Sequence, residues 1–212
     1  MHLSFVPAMN WKYNHPLRNL FTYAVLILLI TGIAVLMYWG KEAVFLKLNH
    51  QHSDLSDIVL KYFTYAGEGL VMALLGVVLL FLKQRKLGIL LIVGFAVSGL
   101  LAQGLKRVQD NPRPGLYFEK TEMVHNVDGK LLKGKNSFPS GHTTTAFAMF
   151  SLLAFATRSK GLQLLYFVAA CTIGYSRIYL GQHFTADVLA GAALGFITSY
   201  FLFWLFRNKD WD

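Results

Sequence analysis

Three stretches of this chain, Leu20–Trp39, Leu87–Leu105 and Ala186–Phe206, are apolar over the roughly 20 residues that a helix needs to cross a hydrocarbon core about 30 Å thick. Two further runs, Thr143–Thr157 and Gly161–Ile178, flank the tight turn Arg158-Ser159-Lys160 and read as a helical hairpin. The sixth, Gly69–Leu82, has 14 residues. At about 1.5 Å per residue it is short of the core, so Tyr62–Gly67 is expected to extend it. The reading is an all-α, polytopic membrane protein. Its single domain over residues 1–212 is a six-transmembrane-helix bundle, with spans at 20–39, 62–82, 87–105, 143–157, 161–178 and 186–206.

Composition agrees. Of 212 residues, 55% are hydrophobic and 15% charged, whereas soluble domains are about a quarter charged. Disorder is excluded, because such a chain has ample apolar surface to bury. A net charge of +9 could mark a nucleic-acid binder, but the 20 Lys and Arg sit mostly in short clusters between apolar runs, as at a lipid surface. No nucleic-acid partner is therefore expected. Cys171 is the lone cysteine, which excludes an intrachain disulfide or a thiolate metal cluster and leaves a small-residue packing role. Residues Met1–Asn19, with Pro7, Lys12 and Pro16, lack a secretory pattern, so the first apolar run is expected to stay as an anchor.

Leu55, Ile58, Val59, Tyr62 and Phe63 fall at helical spacing behind Ser53, a potential N-cap. They read either as an amphipathic helix at the membrane interface or as a loop helix packed on the bundle. Gly191 and Gly195 form a small-residue pair that allows close helix approach. Nine cations (Lys12, Arg18, Lys83, Arg85, Lys86, Arg158, Lys160, Arg207 and Lys209) gather on one side after six crossings. That side is expected to be the cytoplasm, with both termini there. The eleven cations on the other side include several in the long segment Lys106–Pro139.

Four polar clusters fall at span ends on that opposite side: Lys106 with Arg113-Pro114, Pro139-Ser140-Gly141-His142, Ser176-Arg177, and His183 with Asp187. Ionisable groups at the rim of an apolar bundle are expensive, and their convergence marks a site. Lys106, Arg113 and Arg177 suit a dianion, the two guanidinium forks matching phosphate oxygens. Ser140 and Gly141 precede an apolar helix whose free N–H groups favour an anion. His183 and Asp187 are four residues apart, one face of a helix. A carboxylate on one ring nitrogen leaves the other free to attack, and His142 is available to protonate a leaving oxygen. This inventory fits phosphoryl transfer through a phosphohistidine. Two His and one Asp could also hold a metal, but three neighbouring cations would repel a divalent ion and already supply its charge. No metal and no cofactor are expected.

Lys106-x6-Arg113-Pro114, Pro139-Ser140-Gly141-His142 and Ser176-Arg177-x5-His183-x3-Asp187 together resemble the tripartite signature of the type 2 phosphatidic acid phosphatase superfamily. All three parts occur in order without a substitution. The resemblance implies His183 as nucleophile, Asp187 as its orienting partner and His142 as general acid. Lys106, Arg113, Ser140, Gly141 and Arg177 would cradle the phosphate, in a catalytic loop spanning 106–142. It also implies metal independence and, for a chain with six spans, the membrane branch rather than the soluble acid phosphatases and vanadium haloperoxidases. Glu68 reads instead as a solvated helix end, and Lys130, Lys133 and Lys135 as a solvated loop. The expected function is removal of the terminal phosphate from a lipid phosphate or diphosphate in the bilayer of a bacterial inner membrane, with the site facing the periplasm or exterior. Phosphatidylglycerol phosphate, phosphatidic acid, a polyprenyl diphosphate and a lipid A phosphate are the candidate classes. A phosphotransferase using the same intermediate, and a carrier of phospholipid-linked molecules without chemistry, are the alternatives.

Overall fold

The computed structural model describes residues 16–118, 123–127 and 131–209. Lys12 and Lys130 of the sequence reading, with Pro7, lie outside the described residues. Those described form α-helices and two 3-10 turns, with no strand among them.

Helix boundaries follow local chemistry. The Asn19 side chain accepts from the Phe21 N–H at 2.9 Å and starts α1 (Leu20–Asn49). Gly40 breaks α1 with φ 75° and ψ 159°, a backbone that glycine adopts without steric cost, so the first straight segment ends at Trp39. Ser53 caps α2 (Asp54–Phe63) by accepting from the Ser56 N–H. The run 62–82 does not fold as one rod. Thr64–Gly67 is a 3-10 turn, Glu68 is extended, and α3 (Gly69–Phe81) leaves at 58° to the Asp54–Gly67 segment. The expected extension through Tyr62–Gly67 is therefore replaced by a bend. Its reason is close packing at Gly67, where a Cβ would lie 2.5 Å from Ile173 and 3.1 Å from the His142 carbonyl oxygen.

The chain continues through α4 (Arg85–Val108), the single turn α5 (Pro114–Tyr117), α6 (Gly141–Ala156), α7 (Lys160–Tyr179) and α8 (Thr185–Phe206). Helices α1, α4 and α8 are long and apolar enough to cross a membrane, and the bent pair ending in α3 would make a fourth. Helix α6 has 16 residues and rises only about 24 Å. It is the centre of the bundle, buried along nearly its whole length. One side packs Leu152 against Met72, Leu87, Leu90 and Leu91 of α3 and α4. The other packs Phe147 and Phe155 against Phe21, Ala170 and Phe196 of α1, α7 and α8. Gly191 and Gly195 let α8 press on α6: a Cβ at these positions would stand 2.6 Å from the Ser140 carbonyl oxygen and 2.2 Å from that of Thr144.

Apolar side chains also point outward. Met37 and Phe81 are 83% and 84% exposed, an arrangement that lipid tolerates and water does not. Helix α2 combines the two readings of its sequence. Leu55, Ile58 and Tyr62 face outward, while Asp57 turns inward to accept hydrogen bonds from Tyr179 and, at 2.9 Å, from His125. The two ends of the bundle differ in charge. Lys86 donates to the carbonyls of Arg207 and Lys209, and Asn19 to that of Ala154, which gathers Arg18, Arg85, Arg158 and Lys160 at one end. The C-termini of α4 and α7 and the N-termini of α6 and α8 meet at the other.

Candidate active site

Helix α7 stops at Gly181, whose φ is +66°, and the N–H groups of Gln182 and His183 both fold back onto the Arg177 carbonyl, at 3.0 and 3.2 Å. This reversal fixes His183 in a buried turn just before α8. Asp187 sits in the first turn of α8 and caps it, accepting from the Phe184 N–H at 2.9 Å. Its carboxylate is 3.5 Å from His183 Nδ1. Between them stands Ser137, fully buried, whose hydroxyl donates to Asp187 Oδ2 at 2.5 Å and lies 3.4 Å from His183 Nδ1. With Nδ1 protonated and engaged on this side, Nε2 carries the free lone pair.

Cations face that lone pair. Arg113 Nη1 lies 3.4 Å from His183 Nε2 and donates to the Gln182 carbonyl at 3.1 Å, while its Nε donates to Asn136 at 3.2 Å. Pro114 starts α5 directly after it, and the Arg113 N–H is tied to the Gly134 carbonyl. Arg177 is 5% exposed; it donates to Thr64 Oγ1 and to the Gln182 side chain, while its Nε is buried without a partner. The charge of Lys106, at the end of α4, couples to those of Arg113, Arg177 and Asp187. The N-terminus of α6 completes the ring. The Ser140 N–H donates to the Asp187 carbonyl at 3.0 Å and its Oγ accepts from Thr143. Open space lies beside Gly141, where a Cβ would meet nothing within 4 Å. His142 follows, within the fields of Lys106, Arg113, Arg177 and His183.

Burial, reinforced by Arg113 and Arg177 and opposed by Asp187, holds the His183 pKa down at about 4. Its imidazole is neutral near pH 7, so Nε2 keeps its lone pair. Burial likewise lowers the pKa of Arg113, with Asp187 pulling the other way. Three buried or half-buried cations and a helix N-terminus around one open space, with a single carboxylate behind them, form a receptor for a dianion. Among the described residues, no group of three or more His, Cys, Asp or Glu is placed to hold a metal ion.

The eight residues singled out by sequence thus meet at one end of the bundle. Glu68 is exposed and its charge reaches Arg177, while Lys135 forms an exposed pair with Asp110 at 3.2 Å. The sequence reading missed the neutral groups that hold the cations and the carboxylate: Ser137, Thr64, Gln182 and Asn136. Asn136 and Ser137 lie just before the Pro139-Ser140-Gly141-His142 run and Gln182 just before His183, the positional signals available for them, whereas Thr64 has none.

A sequence profile described as the PAP2 superfamily matches residues 87–211. The bacitracin transport permease protein BcrC of Bacillus licheniformis is 32% identical over 58% of this chain and 57% of its own length. The undecaprenyl-diphosphatase of Sulfolobus acidocaldarius is 26% identical over 81% of this chain and 84% of its own. Among solved structures, Aquifex aeolicus LpxE is similar with a TM-score of 0.67 and 31% identity, covering 75% of this chain and 92% of that one. The matched stretch holds every residue of the cation ring and both of its histidines, and the chain belongs to the PAP2 superfamily.

Proposed function

We propose that this chain is a membrane hydrolase that removes the terminal phosphate from a lipid phosphate or diphosphate, through a phosphohistidine on His183. The observation that carries the reading is the two-sided environment of that imidazole. Nδ1 backs onto Ser137 and Asp187, and Nε2 faces Arg113 at 3.4 Å. A relative named undecaprenyl-diphosphatase supports the same class.

In the reaction, phosphate oxygens take the N–H groups of Arg113, Arg177 and Lys106 and of the α6 N-terminus, which stabilise the charge of the pentacoordinate state. The bond from Nε2 to phosphorus forms as the bond to the leaving oxygen breaks, and Asp187 stabilises the imidazolium through Ser137. His142 gives the leaving oxygen a proton. Burial first, and the surrounding cations after it, disfavour that proton on its ring, and a bound phosphate dianion offsets the cations. Water then attacks the phosphohistidine, releasing phosphate and restoring the imidazole. The cations supply the charge a divalent ion would bring, so the reaction is metal-independent.

Phosphatidylglycerol phosphate, phosphatidic acid, a polyprenyl diphosphate and a lipid A phosphate all offer the terminal dianion. In this reading α1, the bent pair ending in α3, α4, α6, α7 and α8 make six crossings. The end bearing Arg18, Arg85, Arg158 and Lys160 faces the cytoplasm of a bacterial inner membrane, and the site faces outward. The permease name of one relative raises the carrier reading, but a carrier has no use for a nucleophile backed by a carboxylate. His183→Ala is expected to lose phosphate release by on the order of 10³-fold or more, measured on purified, correctly folded protein in detergent. Undiminished turnover by that variant would overturn the mechanism, and transport surviving without turnover would favour the carrier.

A further inference from the structure

Helix α7 ends where the site begins, and an α-helix leaves its last carbonyls without partners of its own. The Arg177 carbonyl closes the active-site turn by taking the N–H groups of Gln182 and His183. The next two carbonyls are met by one side chain from the far end of α1. Asn49, fully buried, donates through Nδ2 to the Tyr179 carbonyl at 2.9 Å and to the Ile178 carbonyl at 3.1 Å. The same nitrogen lies 3.1 Å from the His125 carbonyl, while Oδ1 accepts from the His125 N–H at 2.8 Å. That N–H fixes which end of the amide is the oxygen, since a flipped amide would set its oxygen against three carbonyls. One amide thus joins α1, the 123–127 segment and the end of α7.

This junction bears on His183 through Gly181. The chain reverses there at φ +66°, and a Cβ would lie 2.8 Å from Val124 and 3.0 Å from the same His125 carbonyl oxygen. The segment that Asn49 holds is therefore the one against which the reversal rests. His183 follows Tyr179 within a single short turn, so a shift of the α7 end or of that segment reaches the imidazole with little chain to absorb it. Other bonds tie α7 to its neighbours without meeting these carbonyls. Tyr175 donates to the Leu48 carbonyl at 3.2 Å, and the Tyr179 hydroxyl donates to Asp57. They hold the helix, whereas Asn49 holds its end.

We propose that Asn49 is a positioning residue for the phosphoryl-transfer site. It holds the last turn of α7 and the 123–127 segment at the spacing that aims His183 Nε2 at phosphorus while Nδ1 backs onto Ser137 and Asp187. This role rests on the phosphatase reading above, and it places a determinant of the nucleophile's aim outside the stretch 87–211 matched by the superfamily profile. Without the amide, three buried carbonyls and one N–H have to find other partners, and the turn moves as they do. A misplacement approaching 1 Å costs on the order of 100-fold in rate. Lys106, Arg113 and Ser140 stand on other elements, at the end of α4 and at the starts of α5 and α6, so the loss falls on kcat rather than KM.

The test compares Asn49→Ala, Asn49→Ser and Tyr175→Phe with the wild type in one detergent, below every melting midpoint. Phosphate release is followed from the best substrate among farnesyl diphosphate, dioleoyl phosphatidic acid, dioleoyl phosphatidylglycerol phosphate and lipid A. NMR of histidine-labelled protein follows the His183 titration, its signal identified by its loss in His183→Ala. Asn49→Ala is expected to lower kcat by about tenfold or more with KM within about threefold. The His183 midpoint is expected to rise from about 4 to about 5 or higher as water reaches the ring. Asn49→Ser keeps one small donor and is expected to lose about threefold or more; it decides the question if Asn49→Ala does not fold. Tyr175→Phe removes a bond between the same two helices and is expected to keep kcat within about twofold. A smaller fall in kcat, a loss carried by KM alone, or an equal loss in Tyr175→Phe overturns the positioning role and leaves the phosphatase reading intact. No release from any of the four lipids by the folded wild type overturns the phosphatase reading itself. The titration then decides the placement of His183 alone, and an unmoved midpoint in the Asn49 variants overturns it.

Discussion

Replacing Ser137 with Ala removes one hydroxyl from behind the nucleophile and tests whether the contacts there act as a relay. Ser137 is fully buried and donates to Asp187 at 2.5 Å, and His183 Nδ1 lies 3.4 Å from the same oxygen. A hydrogen bond to a charged group contributes roughly 1.5–3 kcal/mol, which is about 10- to 150-fold in rate if it acts fully in the transition state. The structure argues for the lower end. Asp187 Oδ2 is already 3.5 Å from Nδ1, so the ring has to shift by only about 0.6 Å to reach the roughly 2.9 Å of a direct hydrogen bond. Asp187 also keeps its bond from the Phe184 N–H. The expected result for Ser137→Ala is therefore about a tenfold fall in kcat with KM unchanged, because the hydroxyl does not face the space where phosphate binds. Initial rates of phosphate release in detergent micelles, beside His183→Ala and a thermal melt, would measure it. Activity within twofold of wild type, or a loss carried by KM alone, refutes the relay.

His183 itself should titrate near pH 4. Since its unfolded value is about 6.5, folded protein resists the proton that the unfolded chain accepts. Stability from this group is complete above about pH 6.5 and declines as pH falls toward 4. NMR of histidine-labelled protein reads the midpoint directly, and a midpoint at 6 or above would show that burial and the two guanidiniums do not control it. Gly191→Ala forces a methyl to 2.6 Å from the Ser140 carbonyl oxygen, which is backbone and cannot swing aside. A displacement approaching 1 Å at the α6 N-terminus should cost about 10- to 100-fold in kcat, with overpacking lowering stability by about 1–3 kcal/mol. Full activity in that variant would show that the close approach of α8 does not set the position of Ser140.

The helices could be read from the sequence wherever a single local rule decided them. Gly40 ends the first straight segment one residue after Trp39, and Ser53 caps α2 as its position predicts. The charged residues of the site were legible because ions at the edge of apolar runs have few structural excuses. The bend at Gly67–Gly69 was not. It depends on Gly67 lying against His142 and Ile173, contacts that no local pattern announces. The neutral supports were equally hidden. Thr64 meets Arg177 across 113 positions and Asn49 meets Tyr179 across 130, and a lone threonine or asparagine at the end of a helix carries no periodic signal. Asp57 shows the same limit, since a helix with its apolar face outward turns the usual meaning of amphipathicity around.

The bent segment that seats Arg177 also divides the gene into two kinds of text. The superfamily profile begins at residue 87, yet Lys61, Thr64 and Tyr65, which wall a cavity beside His142, all precede it. The residues that form the cation ring lie in one stretch, and a wall of the cavity beside them lies in another. Transplanting residues 53–62 from a relative, with Thr64 and Gly67 kept, should thus change one wall of that cavity and leave the contacts of Arg177 and His142 in place. A fold arranged this way can reshape the space beside its charged ring by editing its preface.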